Sequence, residues 1–262
     1  MKKQLTTALM AFGLVLTILA NPIVVTYATS TDLGEVEIRE YKGENLSSIT
    51  AFRENSIKGP QHVDNETYRL SIDGLVDNEL QFTYDEIINS FESYKKVVTL
   101  FCVEGWRVTI LWEGILIEDL LKEANIDPNA TTVMFFAYDG YSTSLSLDYV
   151  LDNHIMIAYK MNNVTLPPER GYPFMLVAES KWGYKWIKWL TGIVLSDNEN
   201  FRGFWERAGY AIVGNLDEPY MQPFDPREEI PEFSTLAIPV IFAAGVIVIV
   251  ARKKYSHKLA KQ

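Results

Sequence analysis

At 262 residues, 48% of them apolar and aromatic-rich, the chain is long enough for one domain with a substantial core, and its single cysteine excludes an intramolecular disulfide framework. The formal net charge is −10. Seven of the 24 basic side chains sit at positions 2–3 and 252–261, where no Asp or Glu stands, so the body is more acidic still and repels nucleic acid and anionic lipid.

In chain order, Lys2 and Lys3, the apolar run Ala8 to Ala20 and Thr26-Tyr27-Ala28 predict a secretory signal over 1–28, with an uncleaved anchor as the alternative. No twin-arginine pair is present. Residues 29–49 read as a polar lead-in to a domain over 50–217. Tyr68 to Val76 alternates and ends in a turn, which predicts a strand. A short helix is predicted over Tyr84–Phe91, and strands over Val97–Val103 and Val108–Trp112. Leu116–Ala124 has helical spacing, with Ile117, Leu120 and Leu121 on one face. Val133–Ala137 reads as a strand, Leu147–Asp152 as a helix, and Ile155–Lys160, Pro173–Val177 and Trp186–Leu195 as strands. Many strands with few short helices, in no regular alternation, predict an α+β fold with mixed sheets. After a linker at 218–232, Phe233–Ala251 carries no charge over a length that spans a bilayer, and the basic tail 252–262 follows; this predicts a body outside the membrane. Sequons at Asn45, Asn65, Asn129 and Asn163 agree with export.

Few side chains are available for chemistry. His62, His154 and His257 are isolated, so no zinc-ligand spacing exists. Gly-x-Ser-x-Gly, Gly-x-Gly-x-x-Gly, a Walker loop and Cys-x-x-Cys-His are all absent. Two features remain. Cys102 closes an apolar strand before Glu104-Gly105-Trp106-Arg107, and as a lone cysteine it is a packing residue, a reactive thiol or a metal ligand. The segment Ser180 to Trp189 sets Lys181, Lys185 and Lys188 among Trp182, Tyr184, Trp186 and Trp189. It reads either as an amphipathic strand with wet lysines or as a place to hold a phosphate and a flat heterocycle.

The ordered set Cys102-Val103-Glu104-Gly105-Trp106, Trp112-Glu113-Gly114, Asp139-Gly140-Tyr141-Ser142, Leu166 to Pro173, Lys181 to Lys185, Gly203-Phe204-Trp205-Glu206 and Gly209-Tyr210 resembles the sulfite oxidase family of molybdopterin enzymes, and within it the periplasmic methionine sulfoxide reductase branch. The resemblance implies a sulfite-oxidase-type fold and a mononuclear molybdenum on a single pterin, with Cys102 as metal ligand. It also implies cofactor contacts from Asn55, Lys181, Gly183, Tyr184 and Lys185, with Tyr141 in the substrate pocket. Arg170 and Met175 stand where that branch has Asn and Arg, and Ala137 where it has Thr, so Arg170 with Lys185 is expected to hold the phosphate end. The implied chemistry is two-electron oxygen-atom transfer on a small molecule, with an external electron carrier. No arginine pair for an anionic substrate is evident, which disfavours sulfite. Pro231-Glu232-Phe233, the apolar span and Arg252-Lys253-Lys254 resemble an archaeal PEF sorting signal, implying membrane attachment through the segment or a lipid. A surface-binding domain that keeps the fold without the cofactor is the competing expectation.

Overall fold

The computed structural model describes residues 35–221. The secretory signal, the apolar C-terminal span, the sorting signal and the basic tail lie outside the described residues. Among the described residues no helix is long and apolar enough to cross a membrane.

The lead-in is not wholly irregular. Strands β1 (Glu40–Tyr41) and β2 (Glu44–Asn45) form a small antiparallel hairpin. Its two-residue turn has positive φ at both Lys42 and Gly43, the conformation that matches strand twist. A segment without regular structure, residues 49–57, follows. Next come β3 (Leu70–Gly74), β4 (Leu80–Phe82) and helix α1 (Tyr84–Ser90). Thr83 starts this helix through a capping box: its hydroxyl accepts the Glu86 N–H at 3.2 Å, and the Glu86 carboxylate accepts the Thr83 N–H at 2.7 Å.

A long hairpin follows, β5 (Tyr94–Phe101) and β6 (Arg107–Leu116), and β6 runs into α2 (Ile117–Ala124). Ile117, Leu120, Leu121 and Ala124 are the buried residues of α2, the single stripe that its spacing dictates. The chain continues through β7 (Thr132–Ala137), β8 (Ser142–Ser146), α3 (Leu147–Asp152), β9 (Met156–Met161) and β10 (Val164–Thr165). Strands β11 (Met175–Val177) and β12 (Leu190–Ser196) complete the set.

Two five-stranded sheets result. One has the order β10-β9-β6-β5, with β11 also paired to β9; the other has the order β4-β3-β12-β7-β8. All pairings are antiparallel except β3 with β12, which are parallel. A single apolar cluster is drawn from both sheets and all three helices, including Ile72, Ile87, Trp112, Leu120, Phe135, Val150 and Ile193. The architecture is the α+β arrangement of mixed sheets with short helices that the sequence predicts.

The expected strand over Trp186–Leu195 begins only at Leu190. Trp189 has φ +52, and residues 183–185 form a 3-10 turn. The backbone therefore bends where a run of large side chains reads as extended.

Candidate functional site

Alternation along β5 turns Val98 and Leu100 inward and carries Cys102 to the same face just past the strand end. The hairpin closes there: the Cys102 N–H donates to the Trp106 carbonyl at 2.9 Å, and the Gly105 N–H to the Cys102 carbonyl at 3.0 Å. Gly105 has φ +88, the left-handed residue that a three-residue hairpin loop requires. This geometry leaves the Cys102 side chain 7% exposed at the floor of a cavity of about 400 Å³.

The walls of the cavity come from well-separated stretches. Phe52 to Ile57 form one side, Asp139 and Tyr141 of the β7–β8 turn another, and Gly183, Tyr184 and Trp186 to Trp189 a third; Trp205 and Tyr210 complete the lining. Gly183 lies close against the cysteine strand: a Cβ there would stand 3.1 Å from the Phe101 carbonyl oxygen and 3.5 Å from Cys102 Cα.

Burial pushes the Cys102 thiol above its ordinary pKa, and the Glu104 carboxylate pushes the same way. Hydrogen bonds from the backbone N–H groups of Glu104 and Val103 and from Asn55 oppose this. The Asn55 Nδ2 is 3.7 Å from the sulfur. The three N–H donors favour the thiolate, the form that binds a metal, but in the free thiol burial outweighs them.

Three cations line the cavity: the exposed Arg53, and Arg170 and Lys188, which are both engaged. The Arg170 guanidinium donates to the carbonyls of Ile49 (3.0 Å), Phe52 (2.8 Å) and Arg53 (3.2 Å), and lies 3.8 Å from the Phe52 ring centroid. Lys188 Nζ pairs with Glu54 at 2.5 Å and donates to the Glu169 carbonyl at 3.2 Å. Burial pulls the Lys188 pKa down, while Glu54 pulls it back up. Together Arg170 and Lys188 fasten segment 49–57 over the cavity.

Of the residues singled out from sequence, Cys102, Asn55, Tyr141, Arg170, Gly183 and Tyr184 all line this cavity. Lys181 and Lys185 do not line it, and their ammonium groups have protein partners. Lys181 donates to Asn215 Oδ1 at 2.5 Å and lies 4.1 Å from the Tyr149 ring centroid. Lys185 is fully buried and pairs with Glu206 at 2.6 Å. The Tyr141 hydroxyl is donated to the Tyr184 carbonyl at 2.5 Å, so what Tyr141 presents to the cavity is its ring.

Lys188, Glu54, Trp205 and Tyr210 were missed as site residues. For Lys188 the only signal was the lysine-rich segment itself, whose inward register the bend at Trp189 decides.

A molybdopterin fits this donor set. The cavity offers one soft sulfur with N–H donors, aromatic faces for a flat heterocycle, and cations for an anionic end. Among the described residues no group of three or more His, Cys, Asp or Glu could hold a metal ion by itself.

Comparison with known proteins agrees. The family described as oxidoreductase molybdopterin binding domain matches residues 57–205. The uncharacterized oxidoreductase YuiH of Bacillus subtilis is 33% identical over 157 residues, 60% of this chain and 78% of that one. The protein-methionine-sulfoxide reductase catalytic subunit MsrP of Gluconobacter oxydans is 32% identical over 149 residues, 50% of this chain and 48% of its own length. The sulfane dehydrogenase SoxCD of Paracoccus pantotrophus shares the fold, with a TM-score of 0.51 and 24% identity over 53% of this chain and 40% of that one. This chain thus spans only about half of the MsrP relative and less of the SoxCD chain. With the family matched over more than half its length, the chain belongs to the oxidoreductase molybdopterin-binding domain family and is a molybdenum-dependent oxidoreductase.

Proposed function

We propose that the cavity holds a mononuclear molybdenum on a single pterin and serves oxygen-atom transfer to or from a small, uncharged organic molecule. The observation that carries this reading is the lone Cys102 sulfur on the floor of the cavity, ringed by N–H donors from Asn55, Val103 and Glu104. When bound, the cofactor supplies the two-electron oxygen-atom chemistry.

The chain's own residues bind and orient. Cys102 would be the protein ligand to the metal. Lys188 and Arg170 would stand at the anionic end, and the backbone of Gly183 and Tyr184 would form the wall against the ring system. Trp205, Tyr210 and the Tyr141 ring supply an apolar face for the substrate and exclude water.

The preference for an uncharged substrate follows from the charges. Arg170 and Lys188 already have partners, and the exposed Arg53 stands 3.9 Å from the Glu104 carboxylate. The carboxylates of Glu54, Glu104, Asp139 and Glu169 also line the cavity. An oxyanion would meet more negative than positive charge there. The similarity to a methionine sulfoxide reductase subunit supports the same substrate class. The reaction needs an external electron carrier.

Metal analysis of protein made in a host that supplies molybdopterin tests the reading. About one molybdenum per chain is expected in wild type and none in Cys102→Ser, whose melting temperature stays close to that of apo wild type because the hydroxyl can accept the same N–H bonds. Wild type without molybdenum would favour a surface domain that lacks the cofactor. Faster turnover of nitrate or sulfite than of a sulfoxide would overturn the substrate class.

A further inference from the structure

Lys185 and Glu206 are both fully buried, and neither lines the cavity. Their neighbours in sequence do. Gly183 and Tyr184 precede Lys185, while Trp205 precedes Glu206 and Tyr210 follows it. The Lys185 ammonium lies 2.6 Å from Glu206 Oε1 and donates to the Ile212 carbonyl at 2.7 Å. Thr143 of β8 donates to the same Oε1 at 2.6 Å. One carboxylate oxygen therefore joins three pieces of chain: the 183–185 turn, β8 and residues 203–212.

The packing around this joint is tight. A Cβ on Gly203 would stand 2.1 Å from the Ser142 carbonyl oxygen and 2.7 Å from Glu206 Oε2. The Tyr184 hydroxyl donates to the Ala211 carbonyl at 2.7 Å, and its ring lies 5.1 Å from that of Tyr210.

Stability does not account for the pair. Desolvating two charges costs about as much as their attraction returns, and apolar replacements of similar volume are often at least as stable. Glu206 Oε2 is moreover buried without a hydrogen-bond partner, an arrangement that adds cost. What an ion pair gives and an apolar contact does not is one fixed distance and direction.

We propose that Lys185 and Glu206 are positioning residues that hold Trp205 and Tyr210 in register with the Gly183–Tyr184 wall beside Cys102, and so set the shape of the substrate's end of the cavity. This rests on the reading of the cavity given above. The pair touches neither cofactor nor substrate; it acts through the residues on either side of it.

The test compares wild type with Glu206→Gln, Lys185→Met and the apolar double variant Lys185→Met/Glu206→Leu. Three quantities are measured: molybdenum per chain, hydrogen exchange of the amides in 203–212, and kcat and KM for a sulfoxide. The double variant is expected to keep the wild-type molybdenum content, with exchange in 203–212 faster by about tenfold or more. KM is expected to rise about tenfold, with kcat changed by less than about threefold. Loss of molybdenum from Lys185→Met and from the double variant would make Lys185 a cofactor ligand and overturn the proposal. Unchanged exchange and unchanged KM would reduce the pair to packing and overturn it equally. If the double variant does not fold, Glu206→Gln carries the same comparison, because it keeps the shape and removes the charge. A wild-type protein without molybdenum would sink the cofactor reading alone, since the exchange rates of the apo protein still decide whether the pair holds 203–212.

Discussion

Lys181, Lys185 and Lys188 lie within eight residues and have three different fates. Lys188 faces the cavity, Lys185 is locked to Glu206, and Lys181 packs on Tyr149 beside Asn215. Burial, and then the neighbouring Lys185 ammonium, push the Lys181 pKa down to about 8. An unfolded lysine titrates near 10.4. Between about 8 and 10.4 the unfolded chain therefore carries a proton that the folded chain lacks, so unfolding free energy rises with pH across this window. Below about 8 that contribution is gone. Urea unfolding of wild type and Lys181→Met at pH 8 and pH 10 is expected to show wild type gaining roughly 1–3 kcal/mol on the variant between the two values. An equal pH dependence in both proteins would place the ammonium in water. The three fates were not legible in the sequence, because spacings of four and three residues look equivalent until the 3-10 turn and the positive φ of Trp189 assign each side chain a direction. The place of Cys102 was legible: an apolar run that ends at Glu-Gly-Trp leaves a thiol at a strand end, where it can face a cleft.

At the scale of elements, the hairpin β5–β6 and helix α2 could be read from their periodicity, and they appear where expected apart from their ends. Strand β6 continues to Leu116 instead of stopping at Trp112, because it pairs with β9 through an irregularity between Glu113 and Gly114. Gly114 is required there: a Cβ would stand 2.0 Å from the Ile157 carbonyl oxygen and 2.6 Å from Ala158 Cα. Gly114→Ala is expected to destabilise the fold by about 2–3 kcal/mol, read as a lower urea midpoint at unchanged m value. A loss under about 0.5 kcal/mol would show that β9 can shift away. Strand β8 was not legible. Its Ser142, Thr143 and Ser144 are buried on both faces, with Thr143 on Glu206 and Ser144 on the Phe201 carbonyl. Buried polar residues satisfied by partners distant in sequence leave no hydrophobic period to read.

The molecule as a whole is closed by the parallel pairing of β3 with β12, which sets Ile72 against Ile193 at the middle of the second sheet. The described residues from Glu37 to Met221 group as one compact unit, so the walls of the cavity and the two sheets belong to one body. A ligand that binds only this folded body stabilises it by mass action. At a free cofactor concentration about a hundredfold above its dissociation constant the gain is about 2.7 kcal/mol. For a domain of this size the melting temperature of the loaded protein is expected to lie roughly 5–10 °C above that of the apo protein. Identical melting curves for the two forms would show that the cofactor does not seat among these residues.

The family match begins at residue 57 and ends at residue 205, whereas Phe52 to Ser56 and Tyr210 lie outside it and still border the cavity. Part of the cavity's rim therefore rests on chain that flanks the matched span. Segment 49–57 is latched by Arg170 through backbone oxygens, a grip indifferent to which side chains that segment carries, apart from Phe52 and, through Lys188, Glu54. Substitutions in this segment away from Phe52, Glu54 and Asn55 would thus alter which molecules are admitted while the sulfur-bearing hairpin stays as it is.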